Sequence, residues 1–410
     1  MPKTAPDPLP AAVCALGIAQ IVAWGTGYYC LGVLAVPITA DTGWSRSFVY
    51  FGFTLALLAM GGVSSVVGRA IDRHGARPVM ALGVVLISAG LFGLSLVRSQ
   101  PAYLAVWVIL GLGMRMSLYD AAFAALVQVV PSRGRLAISY LTLFGAFAST
   151  VFWVVGHYLN QSVGWRQTLV AFAIINLVCL PLNWFGLARR EAKGADGGAA
   201  AQAAPSNDGP PLEGRMRPVA MALFALVMSL NGFVFAVVTV QLVPLLEAAG
   251  LAAAAAVWVA SMKGFAQFAG RLVEIFFGRN LRAITVARIA IGVLPVSFVL
   301  LLAAGGNLYT VLAFTLLMGA SQGVITIVRG AVPLALFGAA GYGAVLGLLA
   351  MPILVVNAVS PTLFALIVDR WDWHVAQVVL VVVSAASWLA MEVMSRWYER
   401  NRGRPRAGPA

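Results

Sequence analysis

Residues 68–77 have the sequence GRAIDRHGAR, in which two glycines, one aspartate and three arginines occur within ten positions. This polar stretch separates two charge-free apolar runs, residues 47–68 and 78–97. Each run has about the 20 apolar residues that a helix needs to cross a bilayer. The stretch is therefore predicted to form a short loop between two membrane-spanning helices.

Similar apolar runs fill nearly the whole chain. Hydrophobic residues make up 61% of the 410 residues and charged residues 10%, whereas an ordinary soluble domain is roughly 25% charged. Other charge-free runs occupy residues 9–40, 136–163, 167–188, 218–246, 289–328 and 330–368. A Gly-Gly-Asn sequence at 305–307 divides the run at 289–328 into two helices. The run at 330–368 is entered through a glycine-rich turn at 337–343. Together with the charge-bearing segments 101–131 and 251–278 and a final run at 374–395, the sequence predicts twelve spanning helices.

The distribution of basic residues predicts the orientation of these helices, because short cytoplasmic loops collect Lys and Arg. With the amino terminus inside, most of the 27 Lys and Arg residues fall in cytoplasmic segments, and Arg46, Arg98, Arg166 and Arg370 fall outside. We therefore expect a multi-pass protein of the bacterial inner membrane with both termini cytoplasmic. The net charge of +13 is explained by this topology and by contact with anionic lipid headgroups, so no nucleic-acid partner is predicted.

One long polar segment interrupts the apolar pattern. Residues 188–217 are rich in Ala, Gly, Pro and Ser, a composition that is typical of a flexible linker. The segment divides the chain into an N-terminal six-helix bundle at 1–187 and a C-terminal six-helix bundle at 218–396. A basic cytoplasmic tail at 397–410 follows the second bundle.

The two predicted bundles contain similar short sequences. Residues 34–38 (LAVPI) near the end of the first helix resemble residues 241–245 (QLVPL) at the end of the seventh. Repeated halves are typical of transporters whose binding site lies between the repeats. The sequence therefore predicts a transporter with a central site.

The loop at 68–77 resembles the signature loop of the major facilitator superfamily, Gly-x-x-x-Asp-Arg-x-Gly-x-Arg. In this gating loop Gly68 would let two helices approach closely, and Asp72 would pair with Arg73, Arg77 or a neighbouring helix; Gly75 completes the motif. The resemblance implies an all-α membrane protein with twelve helices in two pseudo-symmetric bundles. It implies a secondary transporter that works by alternating access and is not an enzyme. The sequence contains no phosphate-binding glycine loop and no metal-ligand spacing of Cys or His, so neither ATP nor a metal or other cofactor is predicted.

Within this superfamily, the chain resembles the monocarboxylate-transporter-like and oxalate/formate-antiporter-like branch of bacterial members. The stretches that support this likeness are GWSR at 43–46, preceded by Gly32 and Pro37, and GFAQFAGR at 264–271, which is similar to Gly-Phe-x-Asp-x-x-x-Arg. The resemblance implies that Arg271 faces the substrate, and Gln267 stands where mammalian carriers have an acid that helps move the proton. A second alignment pairs residues 270–271 with residues 68–69 and makes Arg271 a gate residue instead. Both alternatives stay open.

Ionisable residues inside the predicted spans are the main candidates for function, because a charge at mid-bilayer is costly unless it is paired or hydrated. On the eighth helix, Lys263, Gln267, Arg271 and Glu274 fall within about 80° of one another. This polar stripe is predicted to face an aqueous cavity. On the tenth helix, Arg329 lies on one face with two other polar residues.

The fourth predicted helix contains Arg115 and Asp120, which lie about 140° apart around a continuous helix. We therefore expect Asp120 to face Arg329 or the cavity and Arg115 to meet a neighbouring helix. Asp120 is the best candidate for a proton carrier, with a structural salt bridge as the alternative. Arg115, Arg329 and Glu274 complete the predicted charge switch.

The sum of charges inside the spans indicates the substrate class. If Glu274 pairs with Arg271 and Asp120 with an arginine, Lys263 and one arginine remain without a counter-ion. A small carboxylate would serve, since arginine binds it through two hydrogen bonds. The predicted binding residues are Lys263, Arg271, Gln267, Tyr28 and Asn231. A structural role, in which these charges latch helices together or Lys263 extends to the surface, is the alternative.

The sequence thus predicts a monomeric, proton-coupled transporter of a small organic anion such as a monocarboxylate, whose partners are the solute, protons and membrane lipid. The first alternative is an efflux carrier for drugs or toxic metalloids, which would depend on Asp120 and aromatic residues. The second is a non-transporting membrane receptor or enzyme. That alternative predicts a soluble domain or a catalytic set, and the sequence contains neither.

Overall fold

The computed structural model describes residues 7–187, 210–278 and 280–401. Every regular element in these residues is helical, which confirms the predicted all-α class. Most of the predicted linker and the basic tail from residue 402 lie outside the described residues. The α-helices are α1 Pro8–Ala23, α2 Leu31–Thr42, α3 Arg46–His74, α4 Ala76–Leu96, α5 Gln100–Ser117, α6 Tyr119–Val129, α7 Gly134–Gly145, α8 Ala148–Val178, α9 Leu180–Phe185, α10 Met216–Ala248, α11 Ala253–Val273, α12 Ala283–Leu302, α13 Leu308–Phe337, α14 Tyr342–Arg370 and α15 Trp373–Asn401.

Single residues that suit helix ends determine where several of these helices begin. Ser45 accepts a hydrogen bond from Phe48 N and thereby caps the first turn of α3. Asn307 does the same for α13 by accepting from the backbone N–H groups of Tyr309 and Thr310. Such caps satisfy backbone donors that the first helical turn leaves without a partner. Gly43 ends α2 in the left-handed conformation, with φ of 69°, which glycine adopts without a steric penalty.

Ten helical segments in the described residues are long and apolar enough to cross a membrane. One of them, Pro131–Phe185, has 55 residues and contains Gly164, whose φ of 80° and ψ of 168° interrupt the helix. The ten segments count Pro131–Phe185 once and do not include the 21-residue α11. If Pro131–Phe185 crosses twice and α11 crosses once, the number of crossings is the predicted twelve. The predicted division at residues 305–307 is also present, because α12 ends at Leu302 and α13 begins at Leu308.

The chain forms two compact units. The first includes residues within Met1–Ala204 and Ala339–Ala358, and the second those within Pro205–Gly338 and Val359–Ala410. The first unit therefore includes the start of α14 as well as the helices of the amino-terminal half. The sequence-based division into two six-helix bundles remains a prediction.

Each unit has its own apolar core, and glycines allow the helices in it to pack closely. In the first unit, Trp107 is fully buried, and a Cβ at Gly111 would overlap the carbonyl oxygen of Ala56. In the second unit, Phe298 and Phe314 are in ring contact at 5.3 Å, and a Cβ at Gly323 would overlap the carbonyl oxygen of Gln267. Small residues at such crossings are the usual means by which membrane helices associate.

Candidate functional site

The signature sequence lies where α3 meets α4, but the loop predicted over residues 68–77 is wrong in its extent. Residues 68–74 form the last turns of α3, residues 76–77 begin α4, and only Gly75 lies outside a helix. Gly75 joins the two helices with φ of 85°, a conformation that favours glycine. At Gly68 a Cβ would overlap the carbonyl oxygen of Gly343 near the start of α14. Gly68 therefore lies where α3 approaches a second helix closely, and that helix is α14.

Asp72 connects the same two helices. Its carboxylate accepts hydrogen bonds from Gly343 N over 2.9 Å and from Ala344 N over 2.6 Å. These donors belong to the first turn of α14, where backbone N–H groups lack helical acceptors and the helix dipole favours a negative charge. A neighbouring helix was one of the partners expected for Asp72, and the carboxylate contacts the helix α14. Arg73 is exposed, and Arg77 lies over the aromatic rings of Trp184 and Phe185.

Arg115 and Asp120 form a buried ion pair in the first unit. Arg115 Nη1 donates to Asp120 Oδ2 over 3.0 Å, and the two side chains are 3% and 7% exposed. The separation of about 140° expected for the two side chains is wrong, because the helix is not continuous, and the salt bridge given as the alternative role of Asp120 is present. Leu118, with φ of −76° and ψ of −171°, separates α5 from α6 and brings the two side chains together.

Two further polar residues hold this break in place, and sequence reasoning did not identify either. Ser64 of α3 accepts a hydrogen bond from Arg115 Nε over 2.6 Å. Gln20 of α1 donates from Nε2 to the carbonyl oxygen of Ser117 over 2.7 Å. Ser117 is the last residue of α5, so Gln20 provides a donor to a carbonyl group at the helix end. The sequence offered a signal for Gln20, which is the single amide side chain in the otherwise apolar helix α1.

Lys263 lies at the middle of α11 in the second unit. Its Nζ is 5.7 Å from the centroid of the Phe235 ring on α10, and its side chain is half-buried. Within the residues that the structure describes, no carboxylate forms an ion pair with Lys263. Gln267, one turn further along α11, is also half-buried.

Arg271 and Glu274 of the second unit are more deeply buried than Lys263. Arg271 is 5% and Glu274 4% exposed, and Arg271 Nε donates to the carbonyl oxygen of Gly323 over 3.4 Å. Glu274 begins a π-helical turn, Glu274–Gly278, at the end of α11. Arg329 is half-buried on α13. On the same helix, both side-chain amide atoms of Gln322 are buried and lack a hydrogen-bond partner in the described part.

The two uncharged candidates lie in different units. Tyr28 belongs to an aromatic cluster in the first unit, with ring centroids 4.8 Å from Trp24 and 4.9 Å from Phe53. Asn231 is 5% exposed in the second unit, where its Nδ2 donates to Ser387 Oγ of α15 over 2.5 Å. The amide donor of Asn231 thus already links α10 to α15.

Comparisons with known proteins agree with this architecture. The family model of the Major Facilitator Superfamily matches residues 16–302. Multidrug resistance protein MdtL from Escherichia coli O9:H4 (strain HS) and from Shigella boydii serotype 18 (strain CDC 3083-94 / BS512) is 25% identical over 174 residues, 42% of this chain and 44% of the relative. The chain therefore matches less than half the length of these curated relatives.

Two solved structures share the fold. The human organic anion transporter MFSD10 (TETRAN) superposes with a TM-score of 0.71 at 16% identity, covering 95% of this chain and 100% of that protein. The proton:xylose symporter XylE bound to 6-bromo-6-deoxy-D-glucose gives a TM-score of 0.68 at 12% identity, covering 94% and 95%. At these identities the likeness concerns the fold alone. With the family model spanning well over half of its length, the chain belongs to the major facilitator superfamily of membrane transporters.

Proposed function

We propose that this transporter moves a small organic anion, such as a monocarboxylate, together with protons by alternating access. It would act as a monomer in the bacterial inner membrane with both termini in the cytoplasm. The fold alone does not select this cargo, because an organic anion transporter and a proton:xylose symporter both share it. The proposal depends on the charges inside the spans.

The position of Lys263, at the middle of α11 and without an ion pair in the described residues, supports an anionic cargo. An ionised lysine at the centre of a spanning helix costs about 3 kcal/mol on insertion scales, and contact with an aromatic ring returns only about 0.5–2 kcal/mol. No carboxylate in the described residues forms an ion pair with its ammonium group. A carboxylate solute would supply the negative charge that pairs with the ammonium group, and Lys263 would then be the first contact of the solute.

The proposal assigns binding roles to four further residues. Arg271 would add a second cation for the anion, and Gln267, one turn from Lys263 on the same helix, would donate a hydrogen bond. Tyr28 and Asn231 would complete the binding set. Membership of the monocarboxylate-transporter-like and oxalate/formate-antiporter-like branch belongs to the same proposal.

Proton coupling is proposed for the Arg115–Asp120 pair. Two charges in a buried pair stabilise one another, so protonation of Asp120 would leave Arg115 without its counter-ion. The pair spans the break between α5 and α6, where the backbone already departs from helical geometry. A change in its charge would therefore favour a rearrangement at that position. Arg329 and Glu274 would be further members of the charge switch.

The proposal is tested by uptake of radiolabelled monocarboxylates into proteoliposomes with an imposed pH gradient. We expect accumulation that disappears when a protonophore collapses the gradient. Lys263→Ala should abolish uptake, while Arg98→Gln, which removes an exposed cation elsewhere, should leave it unchanged. Equal uptake by the Lys263→Ala variant would refute the anion site.

Drug efflux is a second candidate function. The relatives matched by sequence at 25% identity are called multidrug resistance proteins. In the first unit, the ring of Trp24 contacts three tyrosine rings, those of Tyr28, Tyr29 and Tyr119. Aromatic clusters suit large apolar cargo. Resistance of an expressing strain to lipophilic cations that survives Lys263→Ala but not Tyr28→Ala would favour this function.

A further inference from the structure

An open apolar groove lies on the first unit, between the start of α4 and α9. Its volume is about 470 Å³, and its walls include Pro78, Leu82, Val85, Leu180 and Trp184. Leu82 and Val85 are 49% and 42% exposed. A contiguous exposed apolar surface indicates a binding partner or a lipid contact.

A cation lies at one end of this groove. The guanidinium carbon of Arg77 is 4.8 Å from the ring centroid of Trp184 and 5.8 Å from that of Phe185, and both rings line the groove. The Nε atom of Arg77 is buried and has no hydrogen-bond partner among the described residues. No carboxylate in that part of the chain forms an ion pair with Arg77. The rings hold the guanidinium group in place, but they do not neutralise it.

The surroundings of Arg77 add to its positive charge. Arg69 and Arg73 on the last turns of α3 are exposed. Arg77 is the second residue of α4, so it lies at the helix end whose dipole favours an anion. Trp184 is a residue type enriched at the level of lipid headgroups. An anion is therefore favoured at this end of the groove, and an apolar chain along the rest of it.

We propose that this groove is a binding site for an anionic phospholipid. The headgroup phosphate would accept hydrogen bonds from Arg77, and one acyl chain would lie along Pro78, Leu82 and Val85. Basic pockets between membrane helices recognise anionic headgroups in this way. A free phosphate ion would meet the cation but leave the apolar walls uncovered, so the geometry favours the lipid.

The test is native mass spectrometry of the purified full-length protein mixed with equal amounts of dioleoyl phosphatidylglycerol and dioleoyl phosphatidylcholine. Three variants separate the contributions. Arg77→Gln removes the charge, Val85→Trp fills the groove without changing the charge, and Arg46→Gln is the matched control. Arg46 also lies over an aromatic ring, Tyr50 at 5.7 Å, but it is exposed and does not lie at the groove.

We expect the protein to retain phosphatidylglycerol in preference to phosphatidylcholine. Loss of one arginine near the headgroups should lower this retention about fivefold in Arg77→Gln, with a similar loss in Val85→Trp and none in Arg46→Gln. If Arg77→Gln does not fold, Val85→Trp alone decides the question. The proposal is overturned if both groove variants retain phosphatidylglycerol like the unmodified protein, if Arg46→Gln loses as much as they do, or if excess glycerol 3-phosphate displaces the lipid.

Discussion

Arg115 and Asp120 are five residues apart in sequence, yet their side chains meet at 3.0 Å across the interruption at Leu118. An intact helix would direct them to different sides. The break thus makes the ion pair possible, and Ser64 and Gln20 bind two groups of α5 just before it, the Arg115 guanidinium and the Ser117 carbonyl.

Breaking this pair should destabilise the protein. Arg115→Met removes the cation that contacts the buried Asp120 carboxylate, so we expect a loss of about 3 kcal/mol in unfolding free energy. The double variant Arg115→Met/Asp120→Leu should recover most of this loss because no charge remains buried. Thermal unfolding in detergent measures both. A double variant that is less stable than Arg115→Met would contradict this account of the pair.

Gly68 and Gly62 offer a matched comparison on α3. Gly68→Ala forces a methyl group against the carbonyl oxygen of Gly343, whereas a Cβ at Gly62 meets nothing within 4 Å. We expect Gly68→Ala to destabilise the protein by about 1–3 kcal/mol through overpacking. Gly62→Ala should be neutral or stabilising, since alanine favours helix. Equal melting temperatures for the two variants would show that the contact with α14 is looser than described.

Gln20→Leu should also lower stability, because the Ser117 carbonyl group loses its donor while the apolar volume changes little. The expected cost is about 1–3 kcal/mol. Gln161→Leu is the control, since Gln161 is exposed on α8 and its replacement should change stability by less than about 0.5 kcal/mol. Denaturant or thermal unfolding followed by tryptophan fluorescence compares the two.

Lys263 is expected to determine affinity for the anion. Lys263→Gln keeps a polar side chain but removes the charge, and the lost interaction of about 1.5–3 kcal/mol corresponds to a rise in KM of about tenfold to a hundredfold. Lys263→Arg should preserve part of the affinity. Initial rates of carboxylate uptake against concentration give both values. A KM that stays constant in Lys263→Gln would assign Lys263 a structural role.

The sequence was informative where a local pattern has one steric meaning. The spacing of Gly68 and Asp72 predicted a close approach of two helices and, as one of three alternatives, a partner of Asp72 on a neighbouring helix. In the structure, Gly343 and Ala344 of α14 occupy these places. The Gly-Gly-Asn sequence likewise predicted the end of α12. In these places glycine permits a geometry that other residues resist.

The break at Leu118 could not be predicted in the same way. No proline or glycine occupies residues 117–119, and the apolar pattern continues through them. The interruption depends on tertiary partners, the Gln20 amide and the Ser64 hydroxyl, which come from distant parts of the chain. Helical periodicity contains no information about such partners, so the angular argument for Arg115 and Asp120 failed.

The chain contains three lysines, at positions 3, 193 and 263, and Lys263 is the one that lies in the described residues. Its primary amine can therefore serve as a chemical reporter of the transport cycle. In the Lys3→Arg/Lys193→Arg variant, Lys263 is the one lysine side chain that a water-soluble acylating reagent can modify. The rate of that modification, with and without solute, would follow how often water reaches the middle of α11.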